Sequence, residues 1–150
     1  MRSLAAINSE FTRYRSGRRL SQTLDLGCGD GKCAIALARR AFNCVTGLDA
    51  AASLIERATQ KAAKSGVSVT FRCGNPCATP FEAGTFDEVM LLGELFGHFP
   101  TARSDVDLLR EVNRVLKPGG QLHLSFSDGG WIRRSFRSDA IDWVPTLQQE

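Results

Sequence analysis

Residues 23–32 constrain the fold of this chain more than any other stretch. They read Thr-Leu-Asp-Leu-Gly-Cys-Gly-Asp-Gly-Lys, and a run of helix formers follows at 34–38. Apolar and polar residues alternate first, as in a strand, and three glycines then occupy every second position. Because glycine lacks a Cβ and adopts positive φ, the chain can turn sharply there and a ligand can approach its bare backbone. The pattern predicts a strand, a ligand-binding turn and a helix whose positive N-terminal end faces the ligand.

Two interpretations of this turn stay open when the glycines alone are considered. The run Gly29-x-Gly31-x-x-Ala34 satisfies the fingerprint of dinucleotide-binding folds. Asp49 ends a second strand-like run, at the place where an acidic residue of such folds accepts hydrogen bonds from ribose hydroxyls. Counted from Asp25, however, the same turn reads Asp-x-Gly-x-Gly-x-Gly. The glycines therefore fit NAD and other adenosine ligands equally well.

Four segments of the chain, 25–31, 45–49, 80–89 and 109–120, follow the order of motifs in a known family. The first two hold the glycine turn and Val-Thr-Gly-Leu-Asp. The other two read Pro-Phe-Glu-Ala-Gly-Thr-Phe-Asp-Glu-Val and Leu-Arg-Glu-Val-Asn-Arg-Val-Leu-Lys-Pro-Gly-Gly. Together they resemble class I S-adenosylmethionine (SAM)-dependent methyltransferases over about residues 22–126. The resemblance implies a Rossmann-like fold, SAM as the methyl donor and S-adenosylhomocysteine as the product.

The charge of the turn also favours SAM over a dinucleotide. SAM carries no phosphate, but it has an ammonium and a sulfonium group, which suit an acidic side chain through charge-assisted hydrogen bonding. Asp25 would be that side chain at the strand end, and Asp30 adds a second negative charge in the turn. Beside a pyrophosphate the same carboxylates would repel the ligand.

The resemblance implies that the cofactor contacts the turns that follow the first four strands. The implied residues are Asp25, Gly27, Cys28, Gly29, Gly31, Asp49, Ala50, Asn75, Pro76 and Gly93. Asn75 stands where the family often carries an acidic residue that faces adenine. Its amide could still meet the adenine edge, because an amide both donates and accepts hydrogen bonds. Alternatively, Asn75 is simply a turn residue.

His98 is the candidate catalytic residue. It follows the fourth predicted strand, where open α/β sheets bind ligands, and imidazole titrates near neutral pH. An oxygen or carbon acceptor would need such a general base, whereas an amine acceptor would not. Alternatively, His98 is a surface-loop residue or packs between Phe96 and Phe99. His123, within the fifth predicted strand, is a weaker candidate, and the sequence shows no metal-ligand cluster, so we predict no metal site.

Alternating strand and helix patterns predict an α/β fold with a Rossmann-like, doubly wound, mostly parallel sheet. The predicted strands lie near residues 22–27, 43–48, 67–73, 86–92 and 121–126. One predicted helix begins at Ala51 and ends before Gly66. Another spans 104–116 and begins with a capping box formed by Ser104 and Asp107.

Three parts of the chain follow from these patterns. Residues 1–21 are expected to form a basic leader helix with five arginines and one glutamate, and residues 22–126 the SAM-binding core. Residues 127–150 form a short C-terminal segment without a signal for the antiparallel hairpin that usually completes the family's sheet. We therefore expect either that the sequence is a fragment of a longer chain or that the sheet edge is covered in another way, and an exposed edge would promote self-association.

The basic leader at residues 1–21 could instead bind an anionic substrate or nucleic acid, but no basic stripe rich in aromatic residues supports nucleic-acid binding.

The composition indicates a cytoplasmic protein. Apolar residues make up 43% of the 150 residues, and no secretory signal is evident. No apolar run approaches the roughly 18 residues that a membrane span requires. The five cysteines include no Cys-x-x-Cys pair, so we expect buried, reduced thiols that pack as small apolar residues.

These patterns lead us to expect a SAM-dependent methyltransferase that acts on a small-molecule acceptor. One alternative is an NAD-binding Rossmann domain, which Gly29, Gly31 and Asp49 permit but Asp25 and the downstream motifs disfavour. The other is a non-catalytic or truncated methyltransferase-like domain.

Overall fold

A computed structural model describes residues 21–40, 44–93, 95–97, 99 and 101–125. In this part of the chain the strands are β1 (Gln22–Leu26), β2 (Cys44–Asp49), β3 (Thr70–Cys73), β4 (Phe86–Leu91) and β5 (Leu116–Leu124). The helices are α1 (Lys32–Arg39), α2 (Ala52–Lys64) and α3 (Ala102–Val115). The predicted leader helix up to residue 20, and the chain from residue 126 onward with its expected lack of a hairpin, lie outside the described residues.

The strands form one parallel sheet in the order β3-β2-β1-β4-β5, which confirms the predicted doubly wound α/β fold. Strand β1 is central, and Asp25 pairs with Gly47 of β2 on one side and Met90 of β4 on the other. The chain moves outward from β1 to β3 and then crosses to the other side of β1 for β4 and β5. In open sheets this reversal creates a ligand-binding crevice beyond the carboxyl ends of the strands.

Side-chain alternation along β1 divides the core into two layers. Leu24 and Leu26 face α3, in an apolar cluster that also contains Leu48, Phe86, Val89, Leu91, Phe96, Leu108, Val112 and Val115. On the other face, Ala34 and Leu37 of α1 form a smaller cluster with Val45 and Met90. Because successive side chains of a strand point to opposite faces, Thr23 and Asp25 lie on this second face, beneath α1.

Strand β5 is longer than predicted, because it begins before the Pro-Gly-Gly run and not after it. Leu116 pairs with Phe86, and the next pair joins Gln121 to Glu88. Residues 117–120 therefore bulge out of the ladder between the two pairs. A bulge accommodates extra residues without ending the strand, so the Pro-Gly-Gly run interrupts the pairing and does not precede the strand.

Helix α3 begins earlier than predicted. Its N-cap is Thr101, whose hydroxyl accepts a hydrogen bond from the N–H of Ser104. Ser104 therefore lies in the first turn, and the predicted capping box with Asp107 is wrong. Asp107 instead pairs with Arg103 and Arg110 on the exposed surface. Thr and Ser are both preferred N-cap residues, so residue type alone does not choose between them.

Strand β3 is shorter than predicted, whereas helix α2 ends as expected. The edge strand β3 pairs only with β2, and this pairing begins at Thr70, so residues 67–69 lie outside the strand. Helix α2 is followed by Gly66 at a φ of 65°, which is the left-handed conformation predicted for a C-terminal glycine. Among the described helices, none has both the length and the apolar character to cross a membrane.

Candidate functional site

The glycine turn connects the carboxyl end of β1 to α1 and is held over the end of β2. The N–H groups of Gly27 and Cys28 both donate to the carbonyl oxygen of Leu48, at 2.8 and 3.0 Å. The N–H of Gly31 donates to the Cys28 carbonyl at 2.9 Å, and Gly31 then caps α1 in a left-handed conformation. The predicted strand, turn and helix are therefore present.

Gly29 and Gly31 have different roles in this turn. A Cβ added to Gly31 would lie 2.8 Å from the Ala58 Cβ and 2.9 Å from the Phe71 ring, so Gly31 allows α1 to pack closely against α2 and β3. Gly29 has a φ of 53°, and a Cβ added there would meet no heavy atom within 4 Å. The space beside the turn is therefore open at Gly29, where a ligand can approach the backbone.

Asp49, at the end of β2, holds the turn from the other side. Its Oδ2 accepts a hydrogen bond from the N–H of Gly29, 20 residues earlier, and its Oδ1 accepts one from the N–H of Ala51; both are 2.9 Å long. A carboxylate has about four lone-pair sites, so these two bonds leave capacity for further donors. The structure thus brings together the two residues that the spacing predicts to act together.

Asp25 is a buried carboxylate with one unsatisfied oxygen. It is 1% exposed, and its Oδ2 has no hydrogen-bond partner. Burial raises the pKa of Asp25 to about 7, opposed by hydrogen bonds from the Ala34 N–H and the Cys33 thiol and reinforced by the charge of Asp49. An unpartnered buried carboxylate oxygen costs free energy until a donor or cation reaches it. Asp25 therefore has the character of a cation-binding residue, although it lies deeper than the strand end.

The negative charge of Asp30 is compensated within the protein and is not free for a cationic ligand, contrary to the expectation for this turn. Its carboxylate forms an ion pair with Lys61 of α2, and the Lys32 ammonium lies 4.0 Å away. The hydrogen bond from Lys61 holds the pKa of Asp30 below its usual range. Asp30 therefore ties the turn to α2.

The cysteines are free thiols, but the expectation that all of them are buried is wrong. Cys28 is buried, and desolvation, with the charges of Asp25 and Asp49, raises the pKa of its thiol to about 12. Cys73 is exposed because it ends the edge strand β3, where its thiol lies 3.4 Å from the Ala50 carbonyl oxygen. In the described ranges, no three His, Cys, Asp or Glu side chains are grouped so that they could hold a metal ion.

Asn75 closes a local turn after β3. Its Oδ1 accepts a hydrogen bond from the N–H of Cys77 at 2.9 Å, and its carbonyl accepts one from the N–H of Ala78 at 3.1 Å. The turn begins beside β2, because the N–H of Gly74 donates to the Asp49 carbonyl at 2.9 Å. Asn75 is therefore a turn residue at the carboxyl edge of the sheet, with an exposed side chain.

The other implied cofactor residues lie on the turns after β2, β3 and β4. Ala50 is exposed, Pro76 is buried, and Gly93 has a φ of 110° with open space where a Cβ would be. The N–H of Gly93 donates to the Ser125 hydroxyl at 3.1 Å, at the end of β5. Because all the strands are parallel, these turns lie at the same edge of the sheet as the glycine turn.

Of the two histidines, the structure describes only His123. His98 lies outside the described residues, so its role as a general base stays a prediction. His123 pairs with Met90 across the sheet, and its Nε2 lies 3.5 Å from Oε2 of Glu88. Glu88 belongs to the amino-terminal half of β4, so this contact turns the His123 ring toward that half of the strand, and its weaker candidacy as a general base stays a prediction.

The sequence patterns do not single out two buried acids of α3. Asp105 is 2% exposed, and its Oδ1 accepts a hydrogen bond from the N–H of Gly97 at 2.9 Å. Glu111 is 8% exposed and forms an ion pair with Arg114. The two acids lie three residues before and after the buried Leu108, and that helical spacing is the signal that could have identified them.

Comparison with known proteins places most of this architecture in one family. Residues 23–120 match the family described as a methyltransferase domain. A 27-O-demethylrifamycin SV methyltransferase from Amycolatopsis mediterranei is 37% identical over 112 residues, which cover 73% of this chain and 39% of the relative. A ubiquinone biosynthesis O-methyltransferase from Pseudomonas aeruginosa is also 37% identical over 112 residues, or 74% of this chain and 46% of that protein.

A solved structure agrees with the sequence relatives. The PH0226 protein from Pyrococcus horikoshii OT3 superposes with a TM-score of 0.71 at 29% identity, covering 79% of this chain and 54% of that protein. The chain spans less than half the length of the two curated relatives above. The family match runs from β1 into β5 and includes the glycine turn, Asp49 and the turns after β3 and β4. The chain therefore belongs to the class I SAM-dependent methyltransferase family.

Proposed function

We propose that this protein binds SAM at the carboxyl edge of its sheet and transfers the methyl group to a small-molecule acceptor, leaving S-adenosylhomocysteine. The proposal rests on the geometry of the glycine turn and the two carboxylates next to it. The turn is open at Gly29, Asp49 is bonded to that glycine, and the neighbouring Asp25 has a buried oxygen without a partner. An accessible backbone beside two carboxylates that still have free acceptor sites suits a ligand that carries both hydroxyl groups and a positive charge.

Asp25 favours SAM over a dinucleotide. Its carboxylate lies near the end of β1, bonded to the Ala34 N–H in the first turn of α1, and one of its oxygens has no partner. A pyrophosphate at the adjoining glycine turn would be repelled by this carboxylate, whereas an ammonium group would be attracted to it. We assign Asp25 to the ammonium end of SAM. A cation there would compensate the charge that burial now disfavours, and it would satisfy the oxygen that the folded chain leaves unpaired.

Asp49 is assigned to the ribose. Both of its oxygens already hold backbone N–H groups, which fixes the carboxylate against the turn without using all of its acceptor sites. Ala50, Asn75 and Pro76, on the next two turns, are assigned to the adenine side. Gly27, Cys28 and Gly31 shape the turn between these two ends through their hydrogen bonds and close packing.

Methyl transfer from SAM requires mainly that the protein orient the two reactants and exclude water from the site. Bound SAM supplies a methyl group that is already activated by a positively charged sulfur. The chain has to orient the acceptor in line and exclude water, which can contribute much of the rate without a catalytic triad. We place the acceptor beside Gly93, beyond the end of β4, and propose that His98 removes the proton of a hydroxyl acceptor.

Two of the relatives support a small-molecule acceptor, because one is named for a rifamycin precursor and the other for ubiquinone biosynthesis. We propose the same class of acceptor here, a cytoplasmic location and no requirement for nucleic acid. We also propose that the protein self-associates through β5, one of the two outer strands of the described sheet, where Leu122 is 37% exposed.

Calorimetric titration with SAM, S-adenosylhomocysteine and NAD tests the ligand. The proposal predicts saturable binding of the first two and none of the third. Transfer of a labelled methyl group from SAM to a component of a small-molecule extract would then demonstrate the reaction. Binding of NAD in the absence of SAM binding would overturn the proposed function, and SAM binding without transfer to any extract would favour a non-catalytic domain.

The variant Gly29→Val tests the place of binding, with Gly66→Val as a matched control. Both glycines have positive φ, and a Cβ at either meets no atom within 4 Å, so both variants carry similar backbone strain, about 1–2 kcal/mol. Gly66 follows the C-terminus of α2, at the opposite edge of the sheet. We expect Gly29→Val to abolish SAM binding and Gly66→Val to keep it. Normal affinity in Gly29→Val would remove the glycine turn from the site.

A further inference from the structure

The segment that follows β4 touches three different parts of the fold within three residues. Leu95 rests on the glycine turn, since its Cδ2 lies 2.8 Å from the position that a Cβ on Gly27 would occupy. Phe96 is 3% exposed and packs in the apolar cluster beneath α3. The N–H of Gly97 donates to Oδ1 of Asp105, in the first turn of α3, at 2.9 Å. The segment therefore links the start of α3 to the glycine turn.

Burying Asp105 at this link lowers the stability of the fold, so stabilisation does not explain its presence. It is 2% exposed, and its second oxygen, Oδ2, has no hydrogen-bond partner. A buried carboxylate with a single bond loses more hydration than that bond restores. The positive end of α3 offsets part of this loss, because Asp105 lies in the first helical turn. What Asp105 does provide is a fixed position for Gly97.

We propose that Asp105 is a positioning residue for the cofactor site: it holds residues 95–97 against Gly27 and so sets the position of the glycine turn. Topology supports this role. Strands β4 and β5 are parallel, so the helix between them starts at the carboxyl edge, where the glycine turn also lies. With respect to SAM binding the inference rests on the proposed function, whereas the mechanical coupling is a property of the protein without ligand.

Amide hydrogen exchange on the ligand-free protein tests the coupling directly. The variant Asp105→Ala removes the bond to Gly97, and we expect exchange of the amides at 27–31 to accelerate about tenfold, as the loss of one ordinary hydrogen bond would allow. Asp105→Asn keeps an acceptor oxygen and should change these rates by less than about threefold. The matched control is Asp107→Ala, two residues along the same helix, whose side chain is 41% exposed and pairs with two surface arginines. Unchanged exchange at 27–31 in Asp105→Ala would overturn the proposal.

A double-mutant cycle with Leu95→Ala identifies the route. If Asp105 acts through the segment, Leu95→Ala should also accelerate exchange at 27–31, and adding Asp105→Ala should have much less effect in that background than alone. Fully additive effects would contradict the proposed route. Because Leu95→Ala disturbs the link from its other end, unchanged exchange in that variant would also count against the coupling, even if Asp105→Ala failed to fold.

SAM titration then separates this inference from the proposed function. We expect Asp105→Ala to raise the Kd for SAM about tenfold and Asp107→Ala to leave it within about twofold. A wild-type protein that binds no SAM would refute the proposed function while leaving the exchange test decisive for Asp105. If wild type binds SAM and Asp105→Ala binds it with the same Kd, the positioning role is refuted and the proposed function is not.

Discussion

Asp25 and Glu111 are both buried acids, but the protein treats their charges in opposite ways. Burial raises the pKa of Asp25 to about 7, and its Oδ2 has no partner. Oε1 of Glu111 accepts hydrogen bonds from the N–H and the hydroxyl of Thr79, at 2.7 and 2.6 Å, and Oε2 accepts one from Nε of Arg114 at 2.8 Å. The bonds from Arg114, opposed by burial and reinforced by those from Thr79, lower the pKa of Glu111 to about 2.

The difference shows that burial alone does not determine whether an acidic residue has a structural or a ligand-binding role. Glu111 has a complete set of donors, and Arg114 also donates to the Phe81 carbonyl at 2.8 Å, so the group ties α3 to the connection between β3 and β4. Asp25 has an incomplete set and lies on β1, two residues before the glycine turn begins. A satisfied buried acid stabilises the fold, whereas an unsatisfied one keeps capacity for a ligand at a cost in stability.

The largest expected effect is a loss of stability with rising pH that comes from Asp25. Its pKa is 3.8 unfolded and about 7 folded, so between these values the folded state binds more protons and stability falls as pH rises. About 3 pH units at about 1.4 kcal/mol each correspond to about 4 kcal/mol. Urea unfolding of the ligand-free wild type and of Asp25→Asn between about pH 4 and pH 8 measures this loss, as the pH-dependent difference between their free energies of unfolding. Parallel pH profiles for the two proteins would show that Asp25 is not a destabilising charge.

Glu111 should behave in the opposite sense. Removing it as Glu111→Ala leaves Arg114 and Thr79 without their acceptor, and we expect the free energy of unfolding at neutral pH to fall by about 3 kcal/mol. Its pKa is depressed from 4.5 to about 2, so the stabilisation is present above pH 4.5 and is lost as pH falls toward 2. The control Asp107→Ala removes an exposed ion pair on the same helix and should cost less than about 1 kcal/mol. Equal losses in the two variants would make Glu111 an ordinary surface acid.

The next effect concerns the ligand. Asp25→Asn should weaken SAM binding by about 2 kcal/mol, roughly 30-fold, through loss of a charge-assisted hydrogen bond, while the protein becomes no less stable at neutral pH. Asp30→Asn is the matched control in the same turn. Because Lys61 already compensates Asp30, its SAM affinity should change by less than about 0.5 kcal/mol. Affinity losses of similar size in both variants would mean that general negative charge, and not Asp25, attracts the ligand.

The sequence predicts those parts of the site that depend on local pattern. The glycine turn and the place of Asp49 at the end of β2 follow from strands, a turn and a helix at fixed spacing, and the fold class follows from alternating periodicities. The hydrogen bond from Gly29 to Asp49 is seen only in the structure. The pairing of Asp30 with Lys61 joins residues 31 apart, and that of Thr79 with Glu111 joins residues 32 apart. Such contacts depend on how helices pack on the sheet, which no local pattern encodes. The sequence misplaces the N-cap of α3 for another reason, because Thr101 and Ser104 are chemically similar candidates.

The smallest expected effect would refine the account of Glu111. Thr79→Val keeps the shape of the side chain and the N–H bond to Oε1 but removes the hydroxyl that donates to the same oxygen at 2.6 Å. Glu111 would keep its bonds from Arg114, so we expect a loss of about 1–2 kcal/mol, the contribution of one hydrogen bond to a charged group. The pKa of Glu111 should rise, because one of the bonds that favour its charged form is gone, and acid unfolding should begin at a higher pH than in wild type. Urea unfolding at neutral and acidic pH measures both changes. A Thr79→Val protein as stable as wild type at both would show that Arg114 and the Thr79 N–H satisfy Glu111 without the hydroxyl, and that the complete set of donors is not what distinguishes it from Asp25.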